Sequence, residues 1–305
     1  INLLKIEKYG AIDIGSNAIR LLIATVIEQK DKPTIFKKTS LVRVPIRLGE
    51  DVFLDGNITL RNASRLIDAM NAFQLLMNTH GITRYKACAT SAMREAANSG
   101  EVVDIIEEKT GIKIHIIDGE AEAAIIASTH LKSLLQNDRV FLYVDVGGGS
   151  TELSVFENGE KIASHSFAIG TVRLLNGRVH DDIWIEMKDW IQKQTKTFKK
   201  IDVIGSGGNI NRIFKHSGKK MGSPLSYFYL VSFYELVKSY SNDERIIELD
   251  MNPDRADVIE SATRIYLSAM KWSRAKSMYV PKIGLSDGII KSLYNDKNAE
   301  NIPQD

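Results

Sequence analysis

The chain has 305 residues, 44% of them apolar and 26% charged, and its 40 Lys and Arg exceed its 38 Asp and Glu by two. That is ordinary globular composition over a length greater than one compact core usually holds, so two domains are expected. The near-zero net charge excludes bulk attraction to a nucleic acid polymer or a membrane, and the single cysteine, Cys88, excludes an internal disulfide or a Cys-based metal cage. No apolar run approaches the roughly 20 residues that span a bilayer. The opening INLLKIEKYG lacks the hydrophobic block of a signal peptide, which makes a cytoplasmic location the expectation.

In chain order, YGAIDIGSNAIRLLIATVI predicts two apolar strands joined by a tight Gly15-Ser16-Asn17 turn. KPTIFKKTSLVRVPIRL predicts a further strand. NASRLIDAMNAFQLLMNTHG predicts a helix, with Leu66, Met70, Phe73 and Met77 at helical spacing. KACATSAMREA reads as a buried strand and loop, and HIIDGEAEAAIIASTHLKSLL as a short strand leading into a helix. The second half opens on a hairpin, FLYVDVGGGSTELSVF, and continues with a strand through HSFAIGTVRLL, helices, the strand DVIGSGG, more helices and a last strand-turn-helix, YVPKIGLSDGIIKSLY. Strands and helices in alternation predict an α/β protein.

The two hairpins repeat one another. A constant offset of 132 pairs Asp13 with Asp145, Gly15 with Gly147, Leu21 with Leu153 and Ile23 with Val155. Repetition at half-chain distance marks a duplicated domain, since solenoid periods are far shorter. The expected division is residues 1–125 and 126–305, with an active cleft between the halves.

Three consecutive glycines inside a strand pattern are costly, so something must approach that backbone closely. The amides of Gly147, Gly148 and Gly149 with the Ser150 hydroxyl have the chemistry of an anion cradle, and Gly15, Ser16 and Asn17 form a second copy. A lone Asp-x-Gly turn would more simply close a hairpin. Two copies at matched positions favour the anion site. A third turn, IGSGGNINRI, sets Gly207 and Gly208 between a strand and a helix, where backbone dipoles attract a nucleotide or a distal phosphate.

Asp13 and Asp145 end apolar strands, where an uncompensated carboxylate is expensive to bury. Mg²⁺ would compensate it, since that ion takes one or two carboxylates together with water and phosphate oxygens. The candidate ligands are Asp145 and Glu152, with Asp13 in support; capping by turn amides is the competing account of either aspartate. The six histidines show no metal-ligand spacing. KQTKTFKK offers Lys193, Lys196, Lys199 and Lys200, several of them on one side if helical, and a solvated helix face is the simpler meaning. Trp184, Trp190 and amphipathic helices leave room for a homodimer.

Taken together, AIDIGSNAIRLLI, CATSAMREA, IIDGEAEAAI, VDVGGGSTEL, IGSGG and GLSDG resemble the exopolyphosphatase and guanosine pentaphosphate phosphohydrolase family. The resemblance implies two ribonuclease-H-like, actin-like domains. It implies Glu122, from GEAEA, as catalytic base and Arg94, from ATSAMREA, as a phosphate clamp. It further implies phosphate contacts by Asn17 and Ser150, and a metal held by Asp145 and Glu152. Read without it, Glu120 and Glu122 are first-turn acids following an Asp118 cap, pointing roughly 200° apart so that only one can face a cleft. Where the family commonly has Ser before the glycine and Arg after Glu-Ala, this chain has Asp118 and Ala124.

The expected activity is Mg²⁺-dependent release of orthophosphate from the end of inorganic polyphosphate, with guanosine pentaphosphate as the alternative substrate. An actin-like ATP-dependent kinase and a sensor that binds polyphosphate or an alarmone without hydrolysing it are the rival readings.

Overall fold

The structure is a computed structural model that describes residues 4–127, 129 and 139–296. It divides into two units, the first Ile1–Thr129 with Leu285–Asp305 and the second His130–Gly284.

In the first unit, β1 (Lys5–Ile14), β2 (Ile19–Glu28), β3 (Ile35–Val44), β4 (Arg84–Ala89) and β5 (Ile114–Ile116) form a sheet of order β3-β2-β1-β4-β5. The hairpin β1–β2 and strand β3 are antiparallel, whereas β4 and β5 run parallel to β1. Central strand β1 is buried without alternation over its last six residues, as a strand covered on both faces must be; edge strand β3 keeps its lysines exposed. Helix α1 (Leu48–Asp55) interrupts the predicted strand at PIRL, because Arg47 takes φ 61° and turns the chain out of the sheet. The predicted helix is α2 (Leu60–His80), capped by the Thr59 hydroxyl and ended at Gly81 with φ 64°. Its buried row is Leu66, Met70, Phe73 and Met77. After β4 come α3 (Ser91–Glu95) and α4 (Ser99–Thr110), and after β5 comes α5 (Gly119–Ala127). The predicted continuation of α5 through HLKSLL lies outside the described residues.

The second unit has the same plan. β6 (Val140–Val146), β7 (Thr151–Glu157) and β8 (Glu160–Phe167) form antiparallel neighbours, and β9 (Asp202–Ser206) and then β11 (Ser277–Tyr279) lie parallel to β6, with the short β10 (Leu225–Ser226) at the edge. Strand β8 stops at Phe167 and not at Leu175; Gly170 instead leads into α6 (Thr171–Leu175). Then follow α7 (Asp181–Thr195), α8 (Gly208–His216), α9 (Tyr227–Ser239), α10 (Asn242–Ile247), α11 (Pro253–Ala256) and α12 (Ile259–Ser273). Helix α12 is the hub, packing on β6, α6, α7, α8 and α9. Helix α7 ends at Thr195, so Lys196, Lys199 and Lys200 lie beyond it and not along a helical face. Trp184 belongs to the core, edge-to-face with Trp272 and under the Arg264 guanidinium, and is no surface anchor for a second copy.

The final helix, α13 (Leu285–Asn295), belongs to the first unit, where it packs on β1, β2, β4 and α5. A division at residue 125 gives it to the second half. It docks at Gly288, where a β-carbon would stand 2.3 Å from the Ile125 carbonyl oxygen. Tyr294 seals the contact, edge-to-face on Phe36 and hydrogen-bonded to Thr34 at 2.8 Å. Among the described residues no helix is long and apolar enough to cross a membrane.

Candidate active site

Each sheet gathers its functional loops at the carboxyl ends of its parallel strands, the edge where open α/β sheets bind ligands. In the first unit Ile14, Ala89 and Ile116 stand level across β1, β4 and β5. The Gly15-Ser16-Asn17 turn, the Thr90–Arg94 segment and the Asp118–Glu122 segment therefore leave one rim side by side. In the second unit Asp145 stands level with Ser206, which places the Gly147–Ser150 turn beside Gly207.

The two hairpin turns close identically. Gly15 N–H donates to the Ala18 carbonyl at 3.2 Å, and Gly147 N–H to the Ser150 carbonyl at 2.9 Å. Neither glycine takes a left-handed φ; a β-carbon on either would crowd the carbonyl it closes on, at 3.1 and 3.2 Å. The glycines supply space and not backbone freedom.

The turn of the second unit is held from behind. Thr171 N–H donates to the Gly147 carbonyl at 3.0 Å, Val172 N–H to that of Gly148 at 2.8 Å, and the Arg173 side chain to that of Gly149 at 2.8 Å. Turned toward α6, these carbonyls leave the loop's other edge to the amides of Gly148 and Gly149, the arrangement an anion cradle requires; the Gly147 amide, expected in the cradle, is instead spent on closing the turn. At Gly170 a β-carbon would lie 2.3 Å from the Gly148 oxygen, so this strap also requires glycine. Sequence reasoning missed Gly170 and Arg173 by reading IGTVR as strand; the signal present was a second glycine just after a buried apolar run.

Cross-strand partners separate the two aspartates. Asp13 stands opposite Arg20 and Asp145 opposite Glu152, the same ladder position 132 residues apart. Arg20 grips the Asp13 carboxylate at 2.7 Å. That ion pair compensates the Asp13 charge. Two carboxylates directly opposite one another repel, and Asp145 and Glu152 are 9% and 2% exposed. Beneath them the phenols of Tyr143 and Tyr266 are pushed well above their usual pKa, first by burial and next by the Asp145 charge. A buried dicarboxylate beside a glycine turn fits a hard divalent cation whose remaining ligands come from water and a bound anion. Among the described residues no group of three His, Cys, Asp or Glu side chains is placed to hold a metal. Ser150 donates its hydroxyl to Glu152 Oε1 at 2.5 Å, and Ser166 adds a second bond to that oxygen at 3.0 Å.

In the first unit the Ser16 hydroxyl bonds that of Ser91 at 2.8 Å, tying the turn to the start of α3. Gly49 N–H and Arg47 N–H fix the carbonyls of Ser16 and Asn17 at 2.8 and 3.1 Å. Arg94 reaches across to the Ile117 carbonyl at 2.6 Å, toward the loop that starts α5. There Asp118 caps the helix by accepting from Ala121 N–H at 2.7 Å. Of the two acids that follow, Glu120 is exposed, whereas Glu122 is 9% exposed. Burial therefore singles out Glu122.

The third turn joins the second unit's cradle. A β-carbon on Gly207, whose φ is 109°, would stand 2.9 Å from the Val146 oxygen and 3.3 Å from Asp145 Oδ1. At Gly208 the position of a β-carbon is 2.8 Å from the Arg255 guanidinium, which also donates to Asn209 at 3.1 Å. No sequence pattern announced Arg255, which approaches α8 from α11.

Known proteins share this chain's pattern. Exopolyphosphatase 1 of Mycobacterium tuberculosis is 30% identical over 175 residues, which cover 57% of this chain and 50% of that protein. A guanosine-5'-triphosphate,3'-diphosphate pyrophosphatase of Vibrio cholerae is 30% identical over 312 residues, covering 96% of this chain and 61% of its own length. The chain thus spans about half the length of the mycobacterial relative. The crystal structure of an exopolyphosphatase from Cytophaga hutchinsonii superposes with a TM-score of 0.79 at 22% identity, covering 95% of this chain and 98% of that one, which shows the shared fold of two ribonuclease-H-like units. The Ppx/GppA phosphatase family pattern runs through residues 23–297 and so takes in the Gly147–Ser150 turn with both of its strands, Arg94, Glu122 and the third glycine turn. The duplicated sheets and the family match agree: this chain belongs to the Ppx/GppA phosphatase family.

Proposed function

We propose that the chain hydrolyses terminal phosphoanhydride bonds and releases orthophosphate from the end of inorganic polyphosphate. The observation that carries this reading is the buried Glu122 carboxylate, set on the same rim as the Gly15–Asn17 turn and Arg94. A binder has no need of a buried base beside an anion cradle.

In the reaction, Glu122 accepts a proton from water, and the water oxygen bonds the terminal phosphorus as the bridging oxygen leaves in line with the shortened chain. Arg94 and the turn amides take up charge on the phosphoryl oxygens. The leaving group is itself a phosphate, so no strong general acid is required. Asp145 and Glu152 would hold Mg²⁺, which neutralises charge on the substrate's phosphate oxygens. The Ser150 hydroxyl, which donates to Glu152 here, can rotate to donate to a phosphate oxygen instead.

Guanosine pentaphosphate is the second reading. The match along 96% of this chain to a guanosine-5'-triphosphate,3'-diphosphate pyrophosphatase favours it. Orthophosphate release across tripolyphosphate, medium and long polyphosphate and guanosine pentaphosphate, with and without Mg²⁺, tests both. Mg²⁺-dependent release from polyphosphate supports the first reading and preference for the pentaphosphate the second. Sugar phosphorylation from ATP, or binding without release, would displace both.

A further inference from the structure

The second unit has a base as well as a rim. Strands β6, β9 and β11 begin there, at the opposite end of the sheet from Gly147 and Gly207, and α7 and α12 end there because β9 and β11 follow them. The five residues of β9 separate the two ends by on the order of 15 Å.

We propose that this base is a docking surface for an extended inorganic polyphosphate chain, distinct from the glycine turns; the proposal rests on the polyphosphate reading above. Lys193, Lys196, Lys199 and Lys200 at the end of α7, with Arg274 and Lys276 just after α12, are all exposed, and none forms an ion pair with a described residue. Residues 190–201 and 261–286 contain no Asp or Glu. The carboxylate that follows, Asp202, is 5% exposed and bound by Arg139, so it offsets none of this charge.

Arg274 ties the two groups together. It takes φ 61°, a left-handed cap position at which glycine is the default, and its guanidinium donates to the Thr195 carbonyl at 3.0 Å and the Phe198 carbonyl at 3.3 Å. A strained arginine thus fixes the turn that presents the lysines. Complementing helix dipoles accounts for Lys193, in the last turn of α7. It does not account for Lys199, Lys200 and Lys276, which lie outside the helices. Phe198 and Trp272 pack against the core and offer no stacking platform for bases, so the surface suits a polyanion that is charge alone.

The test substitutes Lys196, Lys199, Lys200 and Lys276 together by Gln in the full chain and measures equilibrium binding of long polyphosphate and of tripolyphosphate against salt. Long-chain affinity is expected to fall about 10-fold or more at about 0.1 M salt, and the slope of log affinity against log salt to shrink by about 3, from four phosphate contacts at roughly 0.7 each. Tripolyphosphate binding and turnover are expected to stay unchanged. Arg274→Gly, which relieves the backbone and keeps the fold, is expected to weaken long-chain binding alone. Unchanged long-chain affinity in both variants would overturn the proposal, as would tighter wild-type binding of single-stranded RNA of equal length. Lysine-dependent binding of polyphosphate that is never hydrolysed would uphold the docking surface and defeat the hydrolase reading.

Discussion

Gly170→Ala tests whether the strap behind the Gly147–Ser150 turn is what holds it. Gly170 has φ −135° and ψ 164°, which any residue adopts, so the substitution introduces bulk and no backbone strain. Its β-carbon would lie 2.3 Å from the Gly148 oxygen and 2.4 Å from the carbonyl carbons of Gly148 and Gly149. Ordinary contact needs about 3.5 Å, so the turn or the strap must retreat by about 1 Å. Retreat breaks or lengthens the bonds from Thr171, Val172 and Arg173 to the turn's carbonyls. At about 1 kcal/mol for each bond, with overpacking of about 1–3 kcal/mol of which the retreat relieves a part, the expected loss of stability is about 2–4 kcal/mol. For a unit of this size that lowers Tm by roughly 5–15 °C. Moving a binding group by about 1 Å costs about 10²-fold in rate. Thermal unfolding and orthophosphate release measure the two effects, with Gly100→Ala as control, since nothing lies within 4 Å of a β-carbon there. Wild-type turnover in Gly170→Ala would refute the reasoning.

Other substitutions probe the remaining parts. Gly288→Ala places a β-carbon 2.3 Å from the Ile125 carbonyl oxygen and should destabilise the first unit by about 2–4 kcal/mol, read by denaturant unfolding; an unchanged midpoint would detach α13 from this account. Arg20→Gln strips the counterion from the buried Asp13 and should cost about 1–3 kcal/mol in a Mg²⁺-free melt, whereas a metal at Asp13 would make that loss depend on Mg²⁺. Asp145→Asn should raise the Mg²⁺ concentration for half-maximal turnover about 10-fold or more; an unshifted Mg²⁺ curve would remove Asp145 from the metal site.

Much of the fold is legible in local chemistry. Two hairpins with the same strand-Asp-x-Gly end are visible as a repeat, and the structure gives them the same closing bond and the same place in their sheets. Apolar spacing marks α2 because its buried face repeats every three to four residues. Sequence pattern extends β8 to Leu175 because buried apolar residues continue through Val172, and periodicity cannot tell a strand's end from a short helix packed at the same depth. The return of α13 to the first unit depends on a backbone contact across some 160 residues, which no local pattern encodes. The same limit applies at the site. Asp13 and Asp145 look alike in sequence, and only the register that sets one against Arg20 and the other against Glu152 separates an ion pair from a candidate metal site. Arg255 acts on the third turn from a distant helix and is invisible in sequence for that reason.

The central claim is that Glu122 activates water beside a phosphate cradle. Glu122→Gln keeps the size of the side chain and removes its basicity. Binding of tripolyphosphate should remain within a few-fold of wild type while single-turnover phosphate release falls on the order of 10²-fold or more. Undiminished release would contradict the account, and so would equal losses in binding and turnover, which would make Glu122 a binding group instead of a base.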